Sequence, residues 1–215
     1  MNIRGKTLFM AQFALLLSIL AIFCFTPLGQ IPMFGGMVAT VAAIPVVVTA
    51  LALGMKAGAL MGGFAGLFSL IVWTFMPPNP ILAFIFTPFY SLGEIKGNAG
   101  SLLICFVPRV AVGVVAAAVG KALGKTLGKA LSGNGGALCY AISGALGSLA
   151  NTFGYVLGVW LFFGAQVSSV AGGAPALAVL GGVILMNGLP EAVISALAAA
   201  ALYVPIQALA RRRGS

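Results

Sequence analysis

Arg109, Asn151, Tyr155, Asn187 and Glu191 are polar or charged groups set inside long apolar runs, where the chain offers them little ordinary company. Their chemistry is hydrogen bonding and charge pairing. Arg109 lies about ten residues into the run Gly100–Val119, roughly 15 Å deep at the rise of a helix. Glu191 lies about eleven residues into the run Leu180–Ile206, at a similar depth. Asn151 and Tyr155 are spaced i, i+4 within Ala137–Phe163, and Asn187 stands one turn from Glu191 on the same face. A charge near a bilayer centre costs about 2.5–3.5 kcal/mol on insertion scales, so such groups face a cavity or one another. Two readings follow: an Arg109–Glu191 ion pair joining two helices, or a polar ligand pocket that includes them. Trp73 and Thr74 are placed to wall such a pocket, and Trp73 suits an interfacial anchor equally well.

The elements that must position these groups follow from composition. Of 215 residues, 61% are hydrophobic and 6% charged, against about 25% charged in a soluble domain. There is too little polar surface to cover a soluble globule. Histidine is absent and only two acids are present, which disfavours hydrolytic and metal chemistry. Cys24, Cys105 and Cys139 are far apart in apolar runs and read as packed hydrophobes. A membrane-embedded enzyme would need an unusual nucleophile such as Cys105 or Ser148, and no cofactor is expected.

A spanning helix needs about 20 largely apolar residues. Runs near Thr7–Phe25, Met37–Leu53, Ala57–Phe75, Gly100–Val119, Ala137–Phe163 and Leu180–Ile206 predict six spans in a single domain over residues 1–215. The fold class is thus an all-α integral membrane protein. Ile81–Leu92 is too short to cross and carries Pro88, so it reads as an ordered loop or re-entrant segment. Ser168–Val179 reads as a loop on its Gly-Gly pair and Pro175. Six spans put both termini on one side. Assigning that side to the cytoplasm gathers Arg4, Lys6, Lys56, Lys121, Lys125, Lys129, Arg211, Arg212 and Arg213, which is nine of eleven cations. The net +9 is then mostly an orientation device and builds no basic face for nucleic acid. Apolar length and the lack of an Ala-x-Ala site make the first run a mature helix and not a cleaved signal.

The string GKALGKTLGK ends like a phosphate loop at Gly124-Lys125-Thr126, but Val119 stands where that motif needs glycine. Gly54, Gly58, Gly62 and Gly66 recur every four residues and predict a groove for close helix packing. Ala11, Ala14, Ser18 and Ala21 form a narrow small-residue stripe on the first helix, suited to packing or to docking a partner. The connections Thr26–Gly36 and Phe75–Asn98 are long and apolar, as a lid over an outward-facing cavity would be.

IPMFGGMVATVAAIPVVVTALALGMKAGALMGGFAGLFSLI (Ile31–Ile71) resembles the substrate-binding S components of energy-coupling-factor (ECF) vitamin transporters. FIFTPF (Phe84–Phe89), ICFVPRVAVGVV (Ile104–Val115) and GSLANTFGYVLGVWLFFG (Gly147–Gly164) resemble blocks of the pantothenate-type group. The resemblance runs across all six runs. It implies a non-enzymatic six-helix protein of the bacterial cell membrane that binds a vitamin near the outer helix ends. It also implies a transmembrane coupling subunit and two ATPase subunits as partners. The family docks its first helix through Ala-x-x-x-Ala, whereas this chain offers Ala14-x-x-x-Ser18 beside Ala11. For pantothenate, Arg109 would pair the carboxylate while Asn151, Tyr155 and Asn187 meet the amide and hydroxyls. Glu191 would accept a hydroxyl proton or hold Arg109, and an amine-bearing vitamin at Glu191 is the competing ligand. The competing function is a stand-alone secondary transporter or channel for a small polar solute, with Arg109 and Glu191 as coupling charges.

Overall fold

A computed structural model describes residues 3–32, 38–127 and 135–205, with side chains over 5–29, 40–125 and 136–205. Of the expected basic rim, the Arg4 side chain, Lys129 and Arg211–Arg213 lie outside the described residues. The first helix, α1 (Ile3–Phe25), leads through a single turn into a short hairpin, β1 (Gln30–Pro32) paired antiparallel with β2 (Val38–Thr40). There follow α2 (Ala43–Leu53), α3 (Met55–Phe75) and a four-residue helix α4 (Ala83–Phe86). A second hairpin, β3 (Ser91–Leu92) with β4 (Ile95–Lys96), precedes the long α5 (Ala99–Leu127) and α6 (Gly135–Val170). The chain closes with α7 (Ala176–Val183), a π-helical turn over Ile184–Gly188, and α8 (Leu189–Ala201).

Among the described residues, five helical stretches are long and apolar enough to cross a membrane: Gly5–Phe25, Met55–Phe75, Ala99–Lys125, Gly136–Val170 and Ala176–Ala201. The run expected to span over Met37–Leu53 becomes helical only from Ala43, because Val38–Thr40 are drawn into the hairpin. The remaining 11 residues rise about 16 Å, well short of a hydrocarbon core. The loop expected over Ser168–Val179 is also shorter than that. Positive φ at Gly172 and Gly173 ends α6, and Pro175 restarts the helix at Ala176. Gly54, at φ +96, makes the tight reversal between α2 and α3 and so leaves the glycine groove to the other three positions.

Those three bring α3 against α5. A side chain at Gly58 would meet Ala50 and the Gly113 carbonyl, one at Gly62 the Arg109 backbone, and one at Gly66 the Phe106 ring. The thiol of Cys105 donates to the Gly66 carbonyl at 3.3 Å, a contact that this close approach permits. One core, from α1, α2, α3, α5 and α8, packs around Leu20, Val47, Met61 and Ala116. A second, around Phe84, Ile104, Val159 and Phe163, packs α4 against α5, α6 and α7. Leu15, Leu157, Leu161, Val193 and Leu197 are more than half exposed, a surface that a bilayer covers and water does not.

The expected re-entrant segment is α4, and its four residues are buried. A buried turn must find partners for its backbone groups. Ser101 donates to the Phe84 carbonyl at 2.8 Å, and the hydroxyls of Thr74 and Thr87 bond at 2.7 Å. Thr74 also donates to the Leu70 carbonyl, so Thr87 is the donor in their shared bond. Thr74 therefore ties the loop to α3 and does not wall the cavity.

Candidate functional site

A cavity of about 310 Å³ lies at the hairpin end of the bundle, near the lower limit for small-molecule pockets. Trp73, Arg109, Asn151, Tyr155, Asn187 and Glu191 all line it, so four helices bring every expected polar group to one space. Gly29, Thr40 and Ala42 reach it from the first long connection, and Pro78, Asn79, Leu82 and Phe86 from the second. Both connections thus contribute to its lining.

Arg109 owes its pose to the residue before it. Pro108 has no amide proton, so the Ile104 carbonyl one turn back loses its helical donor. Arg109 Nη1 donates to that carbonyl at 2.8 Å. Gly154 on α6 leaves room for the proline ring, which a side chain there would meet at 3.2 Å. The guanidinium also lies over Phe86, 5.3 Å from the ring centroid. Phe86 in turn sits between Trp73, stacked at 4.2 Å and 17°, and Tyr155, stacked at 5.3 Å and 10°. Trp73 is therefore part of an aromatic wall, and α4 is what completes it.

Asn151 and Asn187 each bury a side-chain oxygen with no hydrogen-bond partner. Buried acceptors are rarely left so, because desolvation costs about 1–3 kcal/mol when nothing replaces water. Both residues line the cavity, where a ligand's N–H or O–H would complete them. Asn187 sits in the π-helical turn, an irregularity that recurs at functional sites because it re-aims side chains. The turn is seated by Gly188, where a Cβ would come within 2.6 Å of Thr152 Cγ2. Gly188→Ala is accordingly expected to cost about 1–3 kcal/mol of stability by overpacking and to turn Asn187 off the cavity. Gly181→Ala, which meets nothing within 4 Å, is the matched control. Thermal unfolding and ligand titration of the two variants check this, and equal behaviour would sink the account.

Glu191 is 9% exposed and does not pair with Arg109. Its Oε1 accepts from the Thr40 amide at 2.7 Å and from the Thr40 hydroxyl at 3.3 Å. Among the described residues no ion pair joins the two charges, and both line the cavity. Thr40, Phe86 and Thr152 line the site without having been singled out. Phe86 lies in the FIFTPF block, but Thr40 reaches Glu191 across 151 positions and left no local signal. On α1, Ala11, Ala14 and Ser18 are exposed along one face beside Leu15, and Ser18 donates to the Ala14 carbonyl at 2.9 Å. Among the described residues no group of three or more His, Cys, Asp or Glu is placed to hold a metal.

No family model matches the chain. The protein is a multi-pass cell-membrane protein, and over 169 residues, 78% of its length, it is 28% identical to the pantothenic acid transporter PanT of Lactococcus lactis subsp. cremoris (strain MG1363), covering 76% of that relative.

Proposed function

We propose that this chain is the vitamin-capturing S component of an ECF-type importer in the bacterial cell membrane, and that its vitamin is pantothenate. The observation that carries the reading is that one cation, one acid, two amides and a phenol all line one cavity. Arg109 takes the ligand carboxylate, and Asn151, Tyr155 and Asn187 meet its amide and hydroxyls. Similarity to a pantothenic acid transporter supports the choice of ligand.

The hairpin end faces outside in this reading, with six crossings, the second made by α2 together with the extended β2 segment that leads into it, and both termini in the cytoplasm. Lys6, Lys56, Lys121 and Lys125 then lie on the cytoplasmic side, beside anionic lipid. Away from the hairpins α3 and α5 approach closely at Gly58–Gly113 and Gly62–Arg109, which favours capture over a through-pore. Release inward therefore falls to partners: a coupling transmembrane subunit, docked on the α1 face of Ala11, Ala14 and Ser18, and two ATPase subunits.

Titration calorimetry of the detergent-purified chain, without nucleotide, tests the reading. Saturable one-site binding of pantothenate is expected, with loss of copurification with the coupling module in Ala14→Trp. Binding of a different vitamin in its place would overturn the ligand, and ion-driven uptake in vesicles without any ATPase would overturn the S-component role.

A further inference from the structure

Glu191 carries a second task that its position in the cavity wall does not by itself suggest. Thr40, which gives Oε1 both its amide and its hydroxyl, is the last residue of β2 and pairs across the hairpin with Gln30. The Val41 amide donates to the Gly29 carbonyl at 3.0 Å, so both ends of the covering segment are tied together where they meet Glu191. One carboxylate oxygen thus fastens the end of the hairpin to α8. The other oxygen makes no hydrogen bond among the described residues, and the side chain lines the cavity. A carboxylate oxygen shut off from water by a bound ligand requires a donor from that ligand. Arg109, the cation of the cavity, does not supply one, being held on the Ile104 carbonyl and the Phe86 ring.

We propose that Glu191 is the specificity-determining residue of the site: one oxygen holds the β1–β2 cover and the other receives an O–H or N–H donor from the end of the ligand remote from its carboxylate. The inference rests on the pantothenate reading, since it needs a small acid whose carboxylate lies at Arg109. The negative charge of Glu191 then repels the acid end and sets the ligand's direction. A ligand lacking the donor leaves the acceptor unpaired, the arrangement by which buried polar sites reject near-isosteres.

Glu191→Gln separates the two tasks, because an amide oxygen still accepts from Thr40 while the amide nitrogen no longer accepts from a ligand. Glu191→Ala removes both. The ligands are pantothenate and an analogue with both hydroxyls replaced by hydrogen; the cover is read by hydrogen exchange at the Thr40 amide. Wild-type protein is expected to prefer pantothenate by at least about tenfold, and Glu191→Gln to reduce that preference to within about threefold. Exchange at Thr40 is expected to be unchanged in Glu191→Gln and about tenfold faster in Glu191→Ala. A wild-type preference retained in Glu191→Gln overturns the donor assignment, and unchanged exchange in Glu191→Ala overturns the fastening. Wild-type protein that binds neither compound overturns the pantothenate reading itself. That result is distinct, because the exchange comparison still decides the fastening.

Discussion

Arg109→Ala is expected to weaken pantothenate binding by about 3 kcal/mol, on the order of 100-fold, the range for truncating one partner of a buried charge pair. Among the described residues it is the cation of the cavity, and its guanidinium is oriented by the Phe86 ring and the Ile104 carbonyl. The fork is thus held in place before the ligand arrives, so less conformational freedom is lost when a charge-assisted bond to the carboxylate forms. Arg109→Lys keeps the charge but not the planar fork, and about a tenfold loss is expected. Pro108→Ala probes the support: it restores an amide proton to Ile104, frees the guanidinium and is expected to lower affinity with Arg109 still present. Calorimetry with pantothenate, and with the alcohol that replaces its carboxylate, checks the assignment. The alcohol should bind Arg109→Ala about as it binds the wild type. Equal weakening of both ligands would mean that Arg109 supports the cavity and does not pair the acid.

The polar layer was legible in the sequence because apolar surroundings make each exception conspicuous. Arg109, Asn151, Tyr155, Asn187 and Glu191 stand out from their runs, and helical rise alone puts them at one depth. How they are held was much less legible. The Pro108-Arg109 dipeptide was in view, but its meaning depends on a carbonyl one turn away and on Gly154 across the helix interface. The π-helical turn at Asn187 has no composition of its own; it is imposed by packing of Gly188 on Thr152. Thr40 engages Glu191 through 151 positions of sequence separation, and no local pattern carries such a pairing. The shortness of α2 was hidden for a related reason. Apolar length measures what tolerates lipid, whereas Val38–Thr40 are claimed by a strand partner at Gln30–Pro32. The glycine repeat was readable as a groove, yet only tertiary contact separates Gly54, a turn, from Gly58, Gly62 and Gly66, which seat a helix.

Gly62→Ala is expected to lower both stability and ligand affinity, because the two are joined at this position. A Cβ at Gly62 would meet the carbonyl oxygen and carbon of Arg109, and the Val110 Cα at 2.8 Å. Backbone cannot rotate away as a side-chain end does, so α3 and α5 must separate or shift along one another. In a bilayer, where apolar helices gain little from leaving lipid, such close packing is a main source of association. The expected cost is about 3 kcal/mol, the upper part of the range for overpacking a close-fitted site. The shift falls on the residue that carries the cavity's positive charge, so its bond to Ile104 and its place over Phe86 move with it. Gly63→Ala, one residue along and with nothing within 4 Å, adds the same methyl to the same helix and is expected to change neither property. Thermal unfolding in detergent and pantothenate titration of both variants make the comparison. Loss of stability in Gly62→Ala with full affinity would show that Arg109 holds its place independently of the α3 contact. Full stability would show that the helices yield at no cost, and the groove would then be incidental to the fold.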